Sequence, residues 1–270
     1  MNYRHAFHAG NFADVAKHLA LVAILLHLLK KQAPFAVVDT HAGRGAYDLG
    51  GKEAQRTGEA ERGIGRLADL RSELTTLSSY LDLVHECGVG TYPGSPLLAA
   101  KLLRPQDRLV AIEKHPDDAA ALAVLLKPFP KARAETADGY ARLAALLPPP
   151  ERRGVILIDP SYEAEDEFQT AARAFAAAYR RFATGIYAIW FPVKSRAEAD
   201  GFCGEVLAAG TAKVLRLDVA LVAPAEDRLS AAGLLVVNPP YRFEDEMGRA
   251  FAEVLPLLEA TARFDWLAGG

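Results

Sequence analysis

The chain has 270 residues, of which 51% are hydrophobic and 24% are charged, and its formal net charge is −3 at pH 7. This is the profile of an ordinary soluble globular protein, long enough for one large domain or for one domain with an insertion. The negative net charge argues against a protein that coats nucleic acid without specificity, although it does not exclude a local basic surface.

The cysteines and the most apolar segment indicate the cellular location of the protein. Cys87 and Cys203 lie far apart in the sequence and form no metal-ligand pattern, as is common in a reducing cytosol. The most apolar run, Leu19 to Leu29, is too short to span a bilayer, and no cleavable signal precedes it. We therefore expect a cytoplasmic protein with no membrane partner.

The sequence of the N-terminal segment predicts a buried helix with an excess of basic residues around it. Asn11 is a typical N-cap, the apolar spacing from Phe12 to Leu29 fits a largely buried helix, and Pro34 ends it. Residues 1–31 also carry Arg4, three lysines and four histidines but only one acid, Asp14. This charge pattern is as consistent with a nucleic-acid contact as with a solvated amphipathic face.

Short apolar runs alternate with helical patterns over the rest of the chain. The predicted strands are 35–39, 109–113, 155–159, 186–190, 214–222 and 234–237, with a weaker one at 132–136. The predicted helices are 116–127, 139–147, 165–182, 195–209 and 244–260. This alternation predicts an α/β fold with helices on both faces of a mostly parallel sheet. A short polar segment joins the last two strands, which favours an antiparallel hairpin at the sheet edge.

One interval interrupts this alternation. Roughly sixty residues separate Gly45 from Leu109, where a strand–helix–strand step needs about thirty. Residues 50–92 are rich in Arg, Glu and Leu and have a helical pattern. We therefore expect a single domain, residues 1–270, with a helical subdomain inserted at about 50–92.

The first predicted strand leads into a glycine-containing loop, His41-Ala42-Gly43-Arg44-Gly45. In an open parallel sheet, ligands bind beyond the carboxyl ends of the strands at such loops, because glycine allows close approach to the backbone. The motif alone is weak, since a purely structural turn and other nucleotide-binding folds have the same pattern.

Acidic residues after the next two strands narrow the choice of ligand. Glu113 closes one strand, where a carboxylate can accept hydrogen bonds from both ribose hydroxyls of a nucleoside. Asp138-Gly139 follows the next strand and suits an adenine amine. The phosphate-binding loop of ATP sites is absent, and so is the third glycine of the NAD fingerprint. The pattern favours a nucleoside cofactor without phosphates.

The apolar run Val155–Ile158 leads directly into Asp159-Pro160-Ser161-Tyr162. An adenine N6 amine is a poor nucleophile because its lone pair is delocalised into the ring. The Asp159 carboxylate and the Pro160 carbonyl can both accept the N6 hydrogens, and Asp159 can take the departing proton. Tyr162 can stack on a base that has left its own stack. The tetrad therefore predicts amine methylation, with Asp159, Pro160 and Tyr162 as catalytic residues.

A second tetrad, Asn238-Pro239-Pro240-Tyr241, matches the amino-methyltransferase pattern more literally. It follows the last predicted strand rather than the fourth. Its Asn238 can accept a hydrogen bond but cannot take a proton at neutral pH. We prefer Asp159 and keep Asn238 as the rival.

The chain resembles the RlmJ-type 23S ribosomal RNA adenine-N6 methyltransferases over nearly its whole length. The resemblance rests on Tyr3-Arg4-His5-x-Phe7-His8-Ala9-Gly10-Asn11, Asp39-Thr40-His41-Ala42-Gly43, Tyr92-Pro93-Gly94-Ser95-Pro96, Asp159-Pro160-x-Tyr162-Glu163, Arg181-Phe182-Ala183-Thr184-Gly185 and Asn238-Pro239-Pro240. It implies a Rossmann-like class I methyltransferase fold that uses S-adenosylmethionine, with an antiparallel edge hairpin and a small helical insertion.

The same resemblance implies roles for individual residues. Cofactor contacts are implied at His18, His41, Ser95, Glu113, Asp138, Gly139 and Asp159. Tyr3 would lie near the target adenosine, and Lys17 would border the catalytic pocket. The substrate would be 23S ribosomal RNA, free or in a partly assembled large subunit. We expect a monomer without a metal ion, since the histidines show no metal-binding spacing.

Ser161 departs from the family pattern, which has proline at the third position of the tetrad. Serine keeps both acceptors but gives a less rigid turn, so we expect slower chemistry rather than loss of function. Two alternatives stay open. One is methylation of a different amine, in DNA adenine or a protein glutamine. The other is a noncatalytic ribosomal-RNA-binding assembly factor that keeps the fold.

Overall fold

The computed structural model describes residues 5–224 and 229–270 and has a central sheet covered by helices on both faces. The strands of that sheet are β1 (Ala36–Asp39), β4 (Arg108–Glu113), β5 (Ala132–Thr136), β6 (Gly154–Ile158), β7 (Ile186–Pro192), β8 (Val214–Leu221), β9 (Ala231–Val237) and β10 (Ala260–Ala268). Two short strands, β2 (Ala46–Asp48) and β3 (Thr91–Pro93), pair separately.

The helices are α1 (Phe12–Leu29), α2 (Lys52–Thr57), α3 (Glu59–Arg62), α4 (Thr75–His85), α5 (Ser95–Leu102), α6 (Pro116–Leu126), α7 (Gly139–Leu146), α8 (Glu167–Arg181), α9 (Arg196–Ala208) and α10 (Phe243–Val254). Short 3-10 turns lie at His5–Phe7 and Ile64–Leu67.

The sheet order is β10-β8-β9-β7-β6-β1-β4-β5. The five strands from β7 to β5 are parallel, whereas β9 is antiparallel to both β7 and β8. This confirms the predicted Rossmann-like methyltransferase fold with its antiparallel hairpin, and the weakest predicted strand, Ala132–Thr136, has the predicted bounds.

The C-terminal end of the sheet differs from the prediction. The predicted helix 244–260 stops at Val254, and the chain then forms β10, which pairs antiparallel with β8 and makes the true sheet edge. Residues 260–268 are only partly buried and carry polar residues throughout, so their sequence lacks the apolar run of an interior strand. The β8–β9 hairpin is therefore covered rather than terminal.

Successive residues of the inner strands point to opposite faces and so contribute to two separate cores. Val37 of β1 belongs to the core beneath α1, α4, α5, α6 and α10, whereas Val38 belongs to the core beneath α7, α8 and α9. Strands β1, β4 and β6, which lead into the candidate site, are thus buried on both faces, which holds their carboxyl ends in place.

Helix α1 is the central helix of the first core. Asn11 caps it as predicted, accepting a hydrogen bond from Asp14 N at 2.9 Å. At its other end the Arg153 guanidinium donates to the carbonyl of Leu28. By length and composition α1 could cross a membrane, contrary to the expectation from its most apolar run, but 78% of it is buried inside the protein.

The interval 50–92 holds α2, α3 and α4 between the paired strands β2 and β3. Thr76 of α4 donates to Glu246 of α10, and Arg66 donates to the carbonyl of Leu257 at 3.0 Å. Helix α4 also packs on α1. These contacts fix the interval to the main domain; that it is a subdomain of its own stays a prediction.

Strand direction excludes the rival tetrad from the site. Because β9 is antiparallel to β7, its end at Val237 lies beside Tyr187 near the start of β7, at the edge opposite the carboxyl ends of the parallel strands. There the Asn238 amide donates to the carbonyls of Ala183 and Gly185 at 2.9 and 2.8 Å. Through these two hydrogen bonds Asn238 stabilises the loop between α8 and β7.

We predict that Asn238→Ala lowers the free energy of unfolding by about 1–3 kcal/mol, because it removes two hydrogen bonds and replaces asparagine, which tolerates a φ of +55°, with alanine, which tolerates it less well. Asn238→Gly removes the same donors without that backbone strain and should lose less. Urea denaturation of the three proteins measures this. Equal stability of all three would contradict the stabilising role.

Candidate active site

A cavity of about 830 Å³ opens at the carboxyl ends of the parallel strands. Its volume lies in the range of sites that bury a small organic ligand. The described residues singled out from the sequence all line it: Lys17, His18, His41, Ser95, Glu113, Asp138, Gly139, Asp159, Pro160 and Tyr162. Tyr3 lies outside the described residues. The fold therefore brings together side chains up to 145 positions apart, although their individual roles stay predictions.

The loop after β1 is tied to the end of β4 through Glu113. Gly43 N donates to one oxygen of the Glu113 carboxylate at 2.8 Å, and His115 N donates to the other at 2.7 Å. Gly43 has a φ of +59°, and a Cβ there would lie 2.3 Å from the Tyr47 hydroxyl. The conformation of the loop therefore requires glycine at this position. The loop in turn holds the Glu113 carboxylate at the cavity through the bond from Gly43 N.

Asp138 is the N-cap of α7 and lines the cavity beyond β5. One carboxylate oxygen accepts from Tyr140 N and Ala141 N, both at 3.1 Å, and the other accepts from the Lys114 ammonium at 2.9 Å. The hydrogen bond from Lys114 lowers the pKa of Asp138. At Gly139 a Cβ would lie 2.0 Å from the carbonyl oxygen of Thr40, so only glycine permits this close packing.

Lys17 lies between two carboxylates beside the tetrad. Its Nζ is 2.6 Å from Asp159 Oδ2 and 3.0 Å from Asp14 Oδ1. Burial lowers the pKa of Lys17, but the charges of Asp14 and Asp159 outweigh that effect and raise it above the ordinary value. The lysine is therefore a fixed cation that holds one oxygen of Asp159.

Asp14 is a member of the site that the sequence did not indicate. It is 3% exposed, and it contacts His5 Nε2 at 2.9 Å and accepts from Gly10 N at 3.0 Å. Burial raises the pKa of Asp14, but His5 and Lys17 together take it well below the ordinary value. From the sequence Asp14 is merely an acid in the first turn of a helix, where it is common for reasons of the helix dipole.

The aromatic wall of the cavity consists of Tyr162 and Trp190. The Tyr162 hydroxyl donates to the carbonyl of Trp190 at 2.6 Å, and its ring packs on Phe168 with ring centroids 4.6 Å apart. Lys17 Nζ lies 5.7 Å from the Trp190 ring centroid, within cation–π range. Trp190 was missed, although an aromatic residue near the end of the neighbouring parallel strand is a signal that could have found it.

Two histidines face the cavity in the neutral form. Burial lowers the pKa of His18 to about 3 and that of His41 to about 4. His18 Nδ1 lies 2.8 Å from the Tyr92 hydroxyl, and His41 Nδ1 lies 2.7 Å from the Thr40 hydroxyl. At neutral pH each ring therefore offers one donor and one acceptor rather than a charge.

Two hydroxyls differ in their surroundings. Ser95 Oγ donates to Asp39 Oδ2 at 2.7 Å, behind the cavity wall. Burial raises the pKa of Asp39 to about 7, and the nearby Asp159 adds to the effect.

The Ser161 hydroxyl is buried without a hydrogen-bond partner among the described residues. An unpaired buried hydroxyl lining a cavity is a natural contact for a ligand.

Comparison with known proteins identifies relatives over almost the whole chain. The family model described as "Ribosomal RNA large subunit methyltransferase D, RlmJ" matches residues 32–267. "Ribosomal RNA large subunit methyltransferase J" of Escherichia coli K12 is 42% identical over 96% of this chain and 93% of its own. The protein of the same name from Haemophilus influenzae Rd is 39% identical over 97% of this chain and 94% of its own.

A crystal structure of a Legionella pneumophila protein superposes on this chain with a TM-score of 0.88. The two share 33% sequence identity, and the match covers 96% of this chain and 98% of the other. The whole fold, including the interval between β2 and β3, is thus common to a solved structure.

We predict that Asp39→Asn stabilises the protein more at pH 8 than at pH 5, relative to the wild type. Asp39 ionises near 3.8 when unfolded and near 7 when folded, so its ionisation lowers wild-type stability as the pH rises through that window, whereas asparagine does not titrate. The gain in unfolding free energy from pH 5 to pH 8 should be about 2–3 kcal/mol. A pH-independent difference in denaturant unfolding would contradict the raised pKa.

Proposed function

Because the chain belongs to the RlmJ family of large-subunit ribosomal RNA methyltransferases, we propose that it methylates the N6 amine of one adenine in 23S ribosomal RNA, using S-adenosylmethionine. The observation that supports this most directly is the position of Asp159. It follows β6 and lines the same cavity as Glu113 and Asp138. A proton acceptor thus shares one cavity with the two acids that suit a nucleoside. Action on ribosomal RNA also implies a cytoplasmic protein.

The residues of the cavity fit the proposed cofactor. Glu113 is aimed by two backbone amides and can accept hydrogen bonds from the ribose hydroxyls, and the Asp138 oxygen that faces Lys114 suits the adenine amine. His18, His41 and Ser95 supply further polar contacts along the wall. When bound, S-adenosylmethionine supplies an electrophilic methyl group on a positively charged sulfur.

Asp159 and Pro160 orient the target amine. Lys17 holds Oδ2 of Asp159 at 2.6 Å, which leaves Oδ1 and the Pro160 carbonyl to accept the two N6 hydrogens. This arrangement directs the N6 lone pair out of conjugation with the ring, toward the methyl donor. After transfer the nitrogen carries a positive charge, and Asp159 accepts the proton that it loses.

Tyr162 gives the target adenine a rigid surface. Its hydroxyl is bonded to the Trp190 carbonyl and its ring packs on Phe168, so the side chain cannot swing away from the cavity. An adenine that leaves its stack in the RNA loses stacking free energy, and stacking on the Tyr162 ring offsets this loss. Lys17 borders the same region, and we assign it to the substrate side of the pocket.

We predict that Asp159→Asn lowers the single-turnover rate of methyl transfer about 10²- to 10⁴-fold, because amide nitrogen cannot accept the proton. The assay offers labelled cofactor with protein-free 23S ribosomal RNA, duplex DNA and protein substrates, followed by mass mapping of the digested RNA. Asn238→Gly is the matched control, since it changes the other tetrad and should keep full activity.

The outcomes of this assay separate the alternatives. One N6-methylated adenine in 23S ribosomal RNA supports the proposal. Labelling of DNA or protein alone would assign the amine chemistry to another substrate. Cofactor binding without turnover on any RNA would instead indicate a noncatalytic assembly factor, and full activity of Asp159→Asn would refute the mechanism.

We predict that Ser161→Pro raises the single-turnover rate and leaves cofactor affinity the same or higher. Proline fixes the turn that positions Pro160 and Tyr162, and it removes a buried hydroxyl that has no partner among the described residues. Rapid-quench kinetics and calorimetric titration measure the two quantities. A weaker affinity would mean that the hydroxyl binds the cofactor, and an unchanged rate would refute the rigidity argument.

A further inference from the structure

A buried chain of three polar groups leads from the cavity into the interval between β2 and β3. His18 Nδ1 on α1 lies 2.8 Å from the Tyr92 hydroxyl on β3, which lies 3.0 Å from the Tyr80 hydroxyl on α4. Tyr80 and Tyr92 are fully buried, and His18 is 2% exposed. No step of the proposed reaction uses either tyrosine.

The Tyr80 hydroxyl, the last of these three polar groups, decides the direction of the hydrogen bonds between them. Each tyrosine hydroxyl has one hydrogen to donate. In the described part of the protein, the Tyr80 hydroxyl has no acceptor except the Tyr92 hydroxyl. If Tyr80 donates to Tyr92, and Tyr92 donates to His18 Nδ1, every hydrogen in the chain has an acceptor. Any other arrangement leaves a buried hydroxyl hydrogen unpaired, which is costly in a site closed to water.

The charge of His18 does not disturb this arrangement. Burial lowers its pKa to about 3, and the nearby Lys17 and His5 add to that effect, while the Asp14 carboxylate opposes it. The ring is therefore neutral at physiological pH and carries a single N–H group. With Nδ1 occupied as an acceptor, the proton must be on Nε2.

We infer that Tyr92 is a positioning residue that holds His18 as the Nε2–H tautomer, a hydrogen-bond donor for the carboxylate of the cofactor's amino-acid part, while Tyr80 donates to Tyr92 from behind. This rests on the proposed function for the identity of the ligand. The nucleoside part of such a cofactor presents hydroxyl and amine donors, which suit the acceptors Glu113 and Asp138. Its carboxylate needs a donor, and the locked ring of His18 supplies one at the cavity wall.

The consequence is a role for the interval between β2 and β3 in cofactor binding. Both tyrosines come from this part of the chain, either within it or on the strand that closes it. The interval between β2 and β3 therefore determines which nitrogen of the His18 ring, on α1, carries the proton.

The tautomer can be measured on the free protein by NMR of ¹⁵N-labelled histidine, with His18→Gln used to assign the His18 signals. The wild type should show the proton on Nε2 alone. Tyr92→Phe should give a mixture of tautomers, because Nδ1 then loses its hydrogen-bond donor. Tyr80→Phe should keep the proton on Nε2, because the Tyr92 hydroxyl then has His18 Nδ1 as its one acceptor among the described residues. Tyr187→Phe is the matched control, since its buried hydroxyl donates to the Phe182 carbonyl away from the cavity. A proton on Nδ1 in the wild type, or an unchanged tautomer in Tyr92→Phe, would overturn the inference.

Calorimetric titration tests the ligand group independently. Tyr92→Phe should weaken binding of S-adenosylhomocysteine about 3- to 10-fold, as expected for one misdirected hydrogen bond, but should change binding of its decarboxylated analogue less than twofold. Equal weakening of both ligands would overturn the carboxylate assignment. Failure of the wild type to bind either ligand would count against the proposed function, whereas the tautomer measurement would still decide whether Tyr92 locks His18.

Discussion

Lys17 lies mostly buried between Asp14, on its own helix, and Asp159, which follows β6 and is 142 positions away in the sequence. A buried ion pair contributes little net stability, but removing one partner leaves an uncompensated charge and is strongly destabilising. The arrangement therefore fixes geometry more than it adds stability. It joins the N-terminal helix to the strand that carries the tetrad, and it keeps one oxygen of Asp159 occupied while the other faces the cavity.

The same helix also carries His18, so α1 contributes adjacent residues to two different tasks. Lys17 faces the tetrad, and His18 faces Tyr92 and the region between β2 and β3. This is possible because α1 is buried along nearly its whole length, with the sheet on one side and α4, α5 and α10 around it. A central core helix thereby becomes part of the active-site wall, and Asp14, Lys17 and His18 on it each have a hydrogen-bond partner.

Much of the fold could be predicted from the sequence because it depends on local periodicity. The buried parallel strands are continuous apolar runs, and the helices between them have clear caps, as at Asn11. Strand β10 was missed because an edge strand that is only partly buried has no such run. The site residues Glu113, Asp138 and Asp159 could be located in advance because each follows a strand, and the carboxyl ends of parallel strands meet at one edge of the sheet.

The sequence by itself determined the fold class, the family and ten of the residues that line the cavity. Only the tertiary structure decided what those side chains do to one another. The direction of β9 placed Asn238 at the opposite edge, where it binds the carbonyls of Ala183 and Gly185. The roles of Asp14, Trp190, Tyr80 and Tyr92 depend on contacts between residues far apart in the chain. Hydrogen bonds and ion pairs of that kind leave no periodic signal, since they are set by packing in three dimensions rather than by neighbouring residues.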